Sequence, residues 1–226
     1  MTWSTAAIAD ALAAVHRRID AAGGTGREVT VVAVTKGFGP EAAEAALAAG
    51  IADLGENYAG ELLAKAGALS GRSGVQAGTA APRWHFLGAV QRNKVARLAS
   101  FVACWQGVDR FEEGEAIARH HPGARCFVEV DLSGLPGRGG VAAGEVPRVV
   151  DALRRLDLDV AGLMTVAPPG GGVAARRVFA QVGRLVADLG LAEASMGMSD
   201  DFEEAVAAGS TMVRLGRVLF GDRPPR

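Results

Sequence analysis

One pattern constrains this chain more than any other: short apolar runs alternate with stretches of helical composition. The runs fall at Val29–Val34, Ile51–Leu54, Trp84–Leu87, Phe101–Cys104, Arg125–Leu132, Val160–Met164, Glu193–Met196 and Thr211–Leu215. Segments such as PEAAEAALAAG, QRNKVARLA and ARRVFAQVGRLVADL lie between them, one after each of the first seven runs. Nearly continuous apolar runs are the mark of strands buried on both faces. Regular strand–helix alternation implies a parallel sheet. Eight such units within 226 residues predict an α/β fold, a single (β/α)8 TIM-type barrel. An open doubly wound sheet is the alternative. It fits less well, because GFGPEA after the first run lacks the third glycine of a dinucleotide fingerprint.

One further helix precedes the alternation. Ile8, Leu12, Val15 and Ile19 recur at helical spacing and predict a helix over about residues 4–22. The whole chain, 1–226, is expected to form one domain. The small, polar and aperiodic stretch SGRSGVQAGTAAPR predicts a mobile loop over about 70–83. It precedes a strand and so belongs to the N-terminal face of a barrel. SGLPGRGGVAAG and APPGGG follow strands and belong to the C-terminal face, where barrel enzymes build their sites.

Composition excludes several classes. The formal net charge is −1 and aromatics make up 5%, so neither a basic nucleic-acid face nor a base-stacking platform is expected. No apolar run reaches the ~20 residues that span a bilayer, and the N-terminal stretch lacks the basic region of a signal peptide. Cys104 and Cys126 have no metal-ligand spacing and read as small buried side chains in a reducing compartment. A cytoplasmic, monomeric protein without membrane or nucleic-acid partners is expected.

The chemistry begins at Lys36. The chain holds three lysines against twenty-one arginines, and one of the three closes the first apolar run, VVAVTKG. An amine can lose its proton and attack a carbonyl; a guanidinium cannot. On the last strand, Arg214 and Gly216 fall on one side of an alternating run. In SMGMSDDFEEA, Ser195, Gly197 and Ser199 predict a small polar pocket, and Asp200 with Glu203 has the spacing of a helix-capping box. A Schiff-base lysine, an arginine and a glycine-lined anion pocket at one barrel mouth suit a carbonyl compound bearing phosphate. Pyridoxal 5′-phosphate and a phosphosugar both answer that description. His85 reads as a hydrogen-bonded core residue and Asp109 as a helix cap.

The stretches VVAVTKG, LGENY, WHFLGAVQRNK, GLMTVAP and SMGMSDDFEEAVAAGSTMVRLG resemble the motifs of the pyridoxal-phosphate homeostasis proteins, the YggS/PROSC type. These are single-domain relatives of the alanine racemase N-terminal barrel. The resemblance runs from about Val29 to Gly221. It implies a fold-type III barrel with Lys36 holding pyridoxal 5′-phosphate as an internal aldimine. Arg214 would face the pyridine nitrogen. Ser195 and the backbone of Gly216 and Arg217 would contact the phosphate, with Gly197 in the same turn. Asn57 and Met164 would lie beside the ring.

The resemblance further implies a carrier that buffers or delivers the cofactor, with no catalytic residue, and PLP-dependent apo-enzymes as receivers. An always-charged donor at the ring nitrogen weakens the cofactor as an electron sink. Racemases of this arrangement also use a tyrosine from a second domain, whereas Tyr58 is the sole tyrosine here. An amino-acid racemase and a Schiff-base aldolase are the alternative functions. The sequence departs from the family pattern at Arg217, where threonine is common, and at Gln106-Gly107, where His-Ser is usual. It departs again at Arg138, where many members have lysine.

Overall fold

The computed structural model describes residues 3–24, 29–70, 81–132 and 137–223. The expected loop over about 70–83 therefore lies mostly outside the described residues. The strands are β1 (Thr30–Val34), β2 (Asp53–Glu56), β3 (Arg83–Phe86), β4 (Val102–Val108), β5 (Arg125–Asp131), β6 (Val141–Ala142), β7 (Asp159–Met164), β8 (Glu193–Ser195) and β9 (Met212–Leu215). The helices are α1 (Thr5–Ala21), α2 (Pro40–Ala48), α3 (Ala59–Ser70), α4 (Arg92–Leu98), α5 (Phe111–His120), α6 (Val146–Arg154), α7 (Gly172–Asp188), α8 (Phe202–Ala207) and α9 (Arg217–Phe220).

Eight strands close into a parallel barrel in the order β1-β2-β3-β4-β5-β7-β8-β9, sealed where β9 pairs back onto β1. The two-residue β6 pairs only with the outer end of β5, Val130 opposite Val141. The sequence pattern misses β6 because two residues carry no period. It misses α9 because a single turn does not either.

Alternation sorts the side chains. Val31 and Ala33 face outward into the main core against the helices, while Val32 faces inward with Cys104, Phe127, Ala161, Met164 and Met212. Polar side chains, described below, share the interior with this small apolar plug. Outside, Trp84, Trp105, Phe179 and Phe202 fill the space between strands and helices and are fully buried. α1 starts at Ser4, whose Oγ accepts the Ala7 amide at 3.0 Å. Trp3 anchors this end through its indole N–H, which donates to the Phe220 carbonyl at 3.1 Å, and through edge contacts with Phe38 and Phe220. No described helix is long and apolar enough to cross a membrane.

Phe127 is the largest side chain of the interior plug and has no exposed surface. Its replacement by alanine is expected to cost about 3–5 kcal/mol, read as a lower urea midpoint at an unchanged slope.

Candidate functional site

The C-terminal strand ends surround a cavity of about 520 Å³, the size of a small-molecule site. Lys36, Asn57, Met164, Arg214, Gly216 and Arg217 all line it. Six of the eight residues singled out from sequence thus share one space.

Lys36 is half-buried at the end of β1. Gly37 follows with φ +79, a left-handed turn that favours glycine, and its amide donates to Glu61 Oε2 at 2.7 Å. Among the described residues no hydrogen bond or ion pair ends on the Lys36 amine. Burial lowers its pKa, and the positive charges of Arg223 and Arg214 lower it further. The carboxylates of Glu56 and Glu61 act against that shift, but Glu56 is engaged elsewhere through one oxygen, while its Oε2 is buried with no hydrogen-bond partner among the described residues. Thr35 Oγ1 donates to Glu56 Oε1 at 2.6 Å, and Lys65 Nζ forms a buried ion pair with the same oxygen. Lys65 also donates to the Thr35 carbonyl at 2.7 Å. Sequence reasoning missed this Glu56–Lys65 pair. Its trace was Lys65 falling at an apolar position of α3, beside the buried Leu62, Ala66 and Leu69.

Arg214 ends inside the mouth with 5% of its surface exposed. Its Nη1 donates to the Ser195 carbonyl at 2.7 Å and to Ser195 Oγ at 2.9 Å; its Nη2 donates to the Thr165 carbonyl at 2.7 Å. Burial lowers its pKa to about 10, with Glu129 and Asp201 working against that shift, so it stays charged at neutral pH.

Two residues expected at the site, Ser195 and Gly197, lie off the cavity wall. Ser195 has no exposed surface and does not line the cavity, because its hydroxyl points into the barrel and donates to Gln106 Oε1 at 2.7 Å. The hydroxyl that does reach the cavity wall is that of Ser199. Gly197 also lies off the wall. It has φ +95, and a Cβ there would meet Ala205 Cβ at 2.7 Å and Phe202 Cα at 2.9 Å, so it serves the close approach of α8.

Two expected caps also shift. The residue at the start of α8 is Asp201, whose Oδ1 accepts the Met198 amide at 2.6 Å, while Asp200 pairs with Arg217. Asp109 does not cap α5: Arg110 takes that position, and Asp109 Oδ2 accepts the Gly140 amide at 2.9 Å. His85 does sit in the core, as expected, with hydrogen bonds to Asp53 and Gln106.

Glu129 is a wall residue that sequence reasoning did not pick out. Its signal was alternation, since it follows the inward-facing Phe127 by two positions on β5. Burial raises its pKa to about 7, and the negative charge of Asp109 adds to this. Asn57 Oδ1 is buried and has no hydrogen-bond partner among the described residues. A buried acceptor left open on a cavity wall calls for a donor from a ligand.

The donor set fits pyridoxal 5′-phosphate. There is an unpaired amine for an aldehyde and a donor-only guanidinium for a ring nitrogen. Ser199 with the β9–α9 turn at Gly216 and Arg217 can meet a phosphate, because a helix start leaves backbone N–H groups without intrahelical partners. No cluster of metal-ligating side chains is present among the described residues. Both cysteines are free and buried. Burial pushes the Cys126 thiol up to about 12 and raises that of Cys104 as well.

Comparison with known proteins follows the same line. The sequence profile of the alanine racemase N-terminal domain matches residues 8–224. A pyridoxal phosphate homeostasis protein of Deinococcus radiodurans is 38% identical over 92% of this chain and 97% of its own length. Its counterpart from Pseudomonas aeruginosa is 35% identical over 96% of both. Among solved structures, PipY of Synechococcus elongatus with PLP bound superposes with a TM-score of 0.79 at 29% identity, covering 95% of this chain and all of PipY.

Two outcomes follow from the site's electrostatics. Lys65→Met leaves Glu56 buried without its cation and is expected to destabilise the fold by roughly 3–5 kcal/mol in chemical denaturation. Burial holds Glu129 protonated in the folded state up to about pH 7, against the ordinary glutamate value of 4.5. Its contribution to stability is complete at low pH and is lost as pH rises through that window. Glu129→Gln is free of this loss. In thermal melts of cofactor-free protein its Tm advantage over wild type should widen between those two pH values and then level off.

Proposed function

The chain belongs to the alanine racemase N-terminal domain family and, within it, to the pyridoxal phosphate homeostasis proteins; on that premise we propose that it binds pyridoxal 5′-phosphate at the barrel mouth and buffers or delivers it in the cytoplasm. The observation that carries this reading is Lys36, a half-buried amine with no partner among the described residues, on the same cavity wall as a buried arginine. When bound, the cofactor supplies a reactive aldehyde, and Lys36 is the nucleophile placed to hold it. Arg214 has only hydrogens to offer the ring nitrogen and stays charged, so it binds the ring without lending it a proton. Ser199, Gly216 and Arg217 take the phosphate; Arg217, already paired with Asp200, adds positive charge at that end. Asn57 and Met164 flank the ring.

A holding role suits these residues better than turnover. The sole tyrosine, Tyr58, is 49% exposed and lies off the cavity wall, away from where a racemase would need its second proton donor. The receivers in this reading are PLP-dependent apo-enzymes. Two buried free thiols are in keeping with a reducing compartment.

Purified wild type loaded with PLP should absorb in the visible. Borohydride treatment should leave one stable adduct on the peptide containing Lys36. Lys36→Ala should show neither, and wild type without the adduct would overturn the reading. Arg214→Ala should weaken PLP retention by roughly 10- to 100-fold and shift the absorbance; unchanged affinity and spectrum would remove it from the site. Racemisation of a free L-amino acid by the loaded protein would favour the racemase alternative instead.

A further inference from the structure

Beneath Arg214 the barrel interior holds a single file of polar side chains. Arg214 Nη1 donates to Ser195 Oγ at 2.9 Å, and Ser195 Oγ donates to Gln106 Oε1 at 2.7 Å. Gln106 Nε2 lies 2.7 Å from His85 Nδ1, and His85 Nε2 lies 2.9 Å from Asp53 Oδ1. Ser195 and Gln106 have no exposed surface, and His85 has only 4%. Asp53 sits at the first residue of β2, opposite Arg83 at the start of β3. Arg83 grips it from the far end of the barrel through Nε at 2.8 Å. The file therefore runs from the N-terminal face of the barrel to the cavity.

Its two ends dictate one proton order. Burial works against the charge on Asp53, yet the hydrogen bonds from His85 and Arg83 overcome it and hold this carboxyl at about 2. A carboxylate only accepts, so His85 Nε2 carries a proton, and Nδ1 is the acceptor where the Gln106 amide N–H is its partner. A guanidinium only donates, so Ser195 accepts from it and passes its own hydrogen to Gln106 Oε1. Read from the Arg214 end, every donor points toward Asp53, and the reverse order would leave Ser195 Oγ accepting from both neighbours with its own hydrogen unplaced.

We infer that Gln106 and His85 are positioning residues for Arg214, fixing through Ser195 which guanidinium hydrogens are spent inside the barrel and which are left for the cavity. Both hydrogens of Nη1 go to Ser195 and one of Nη2 goes to Thr165. One hydrogen on Nη2 and the one on Nε remain for a ligand. Gln106 is the hinge of the file, since its amide is the group that must present an acceptor upward and a donor downward. A neutral imidazole offers the same pair of functions at similar spacing, so histidine can replace it; leucine, of similar size, offers neither.

The ligand side of this inference rests on the reading of the cavity as a PLP site, so its first readout needs no cofactor. In ¹⁵N-labelled, PLP-free protein the Arg214 Nη hydrogens should be resolved and slow to exchange. They should be averaged or broadened in Gln106→Leu and resolved again in Gln106→His. In PLP titrations Gln106→Leu should bind about tenfold more weakly with a shifted absorbance maximum, and Gln106→His within about twofold of wild type. Should Gln106→Leu fail to fold, Ser195→Ala carries the same expectations. A folded Gln106→Leu or Ser195→Ala variant with wild-type Arg214 signals overturns the inference. If wild type takes up no PLP, the cavity reading fails, and the Arg214 signals still decide this one.

Discussion

Keeping a charged guanidinium inside the barrel mouth is the constraint on which the rest of the interior depends. No carboxylate hydrogen-bonds Arg214 among the described residues. Its charge is stabilised by two backbone carbonyls and a hydroxyl, with Glu129 and Asp201 acting at longer range. Such an arrangement holds only if each acceptor is itself held. The Ser195 and Thr165 carbonyls come from the ends of β8 and β7, and the hydroxyl is fixed by Gln106. A polar file thus replaces part of the apolar filling usual in a barrel core. It is tolerable because each buried group meets a partner of opposite hydrogen-bonding sense.

In the proposed site, the lowered pKa of Lys36 follows from burial and a second division of charge. Glu56 and Lys65 neutralise one another behind the strand, and Arg214 and Arg223 face the amine with like charge. Burial and these like charges outweigh the opposing pull of Glu56 and Glu61, and among the described residues no carboxylate lies at bonding distance of the amine. An amine so placed spends more of its time unprotonated, which is the form that attacks an aldehyde. Glu129 and Asn57 complete the wall with groups that burial has left wanting a proton or a donor.

The architecture was legible because it is written in alternation. Eight apolar runs became the eight barrel strands, and the (β/α)8 order followed from connection rules alone. Strand ends were less legible where polar residues are satisfied inside the barrel: β4 continues from Cys104 to Val108, since Gln106 finds partners there that the sequence does not display. Lys36 stood out because arginine outnumbers lysine so heavily. The direction of the Ser195 hydroxyl was not legible, for a geometric reason. β8 is three residues long, and nothing in so short a run says whether a hydroxyl at its end turns up toward a ligand or down toward Gln106. Glu129 was overlooked among valines, although two-residue periodicity from Phe127 already aimed it inward.

The central claim is that one cavity brings the Lys36 amine and the Arg214 guanidinium to opposite ends of a single PLP ring. A crystal structure of the protein grown with PLP tests this directly. The account predicts density continuous with Lys36 Nζ, the ring nitrogen within hydrogen-bonding distance of Arg214, and the phosphate at Ser199, Gly216 and Arg217. PLP bound elsewhere, or a ring in the cavity turned so that its nitrogen faces away from Arg214, would contradict it.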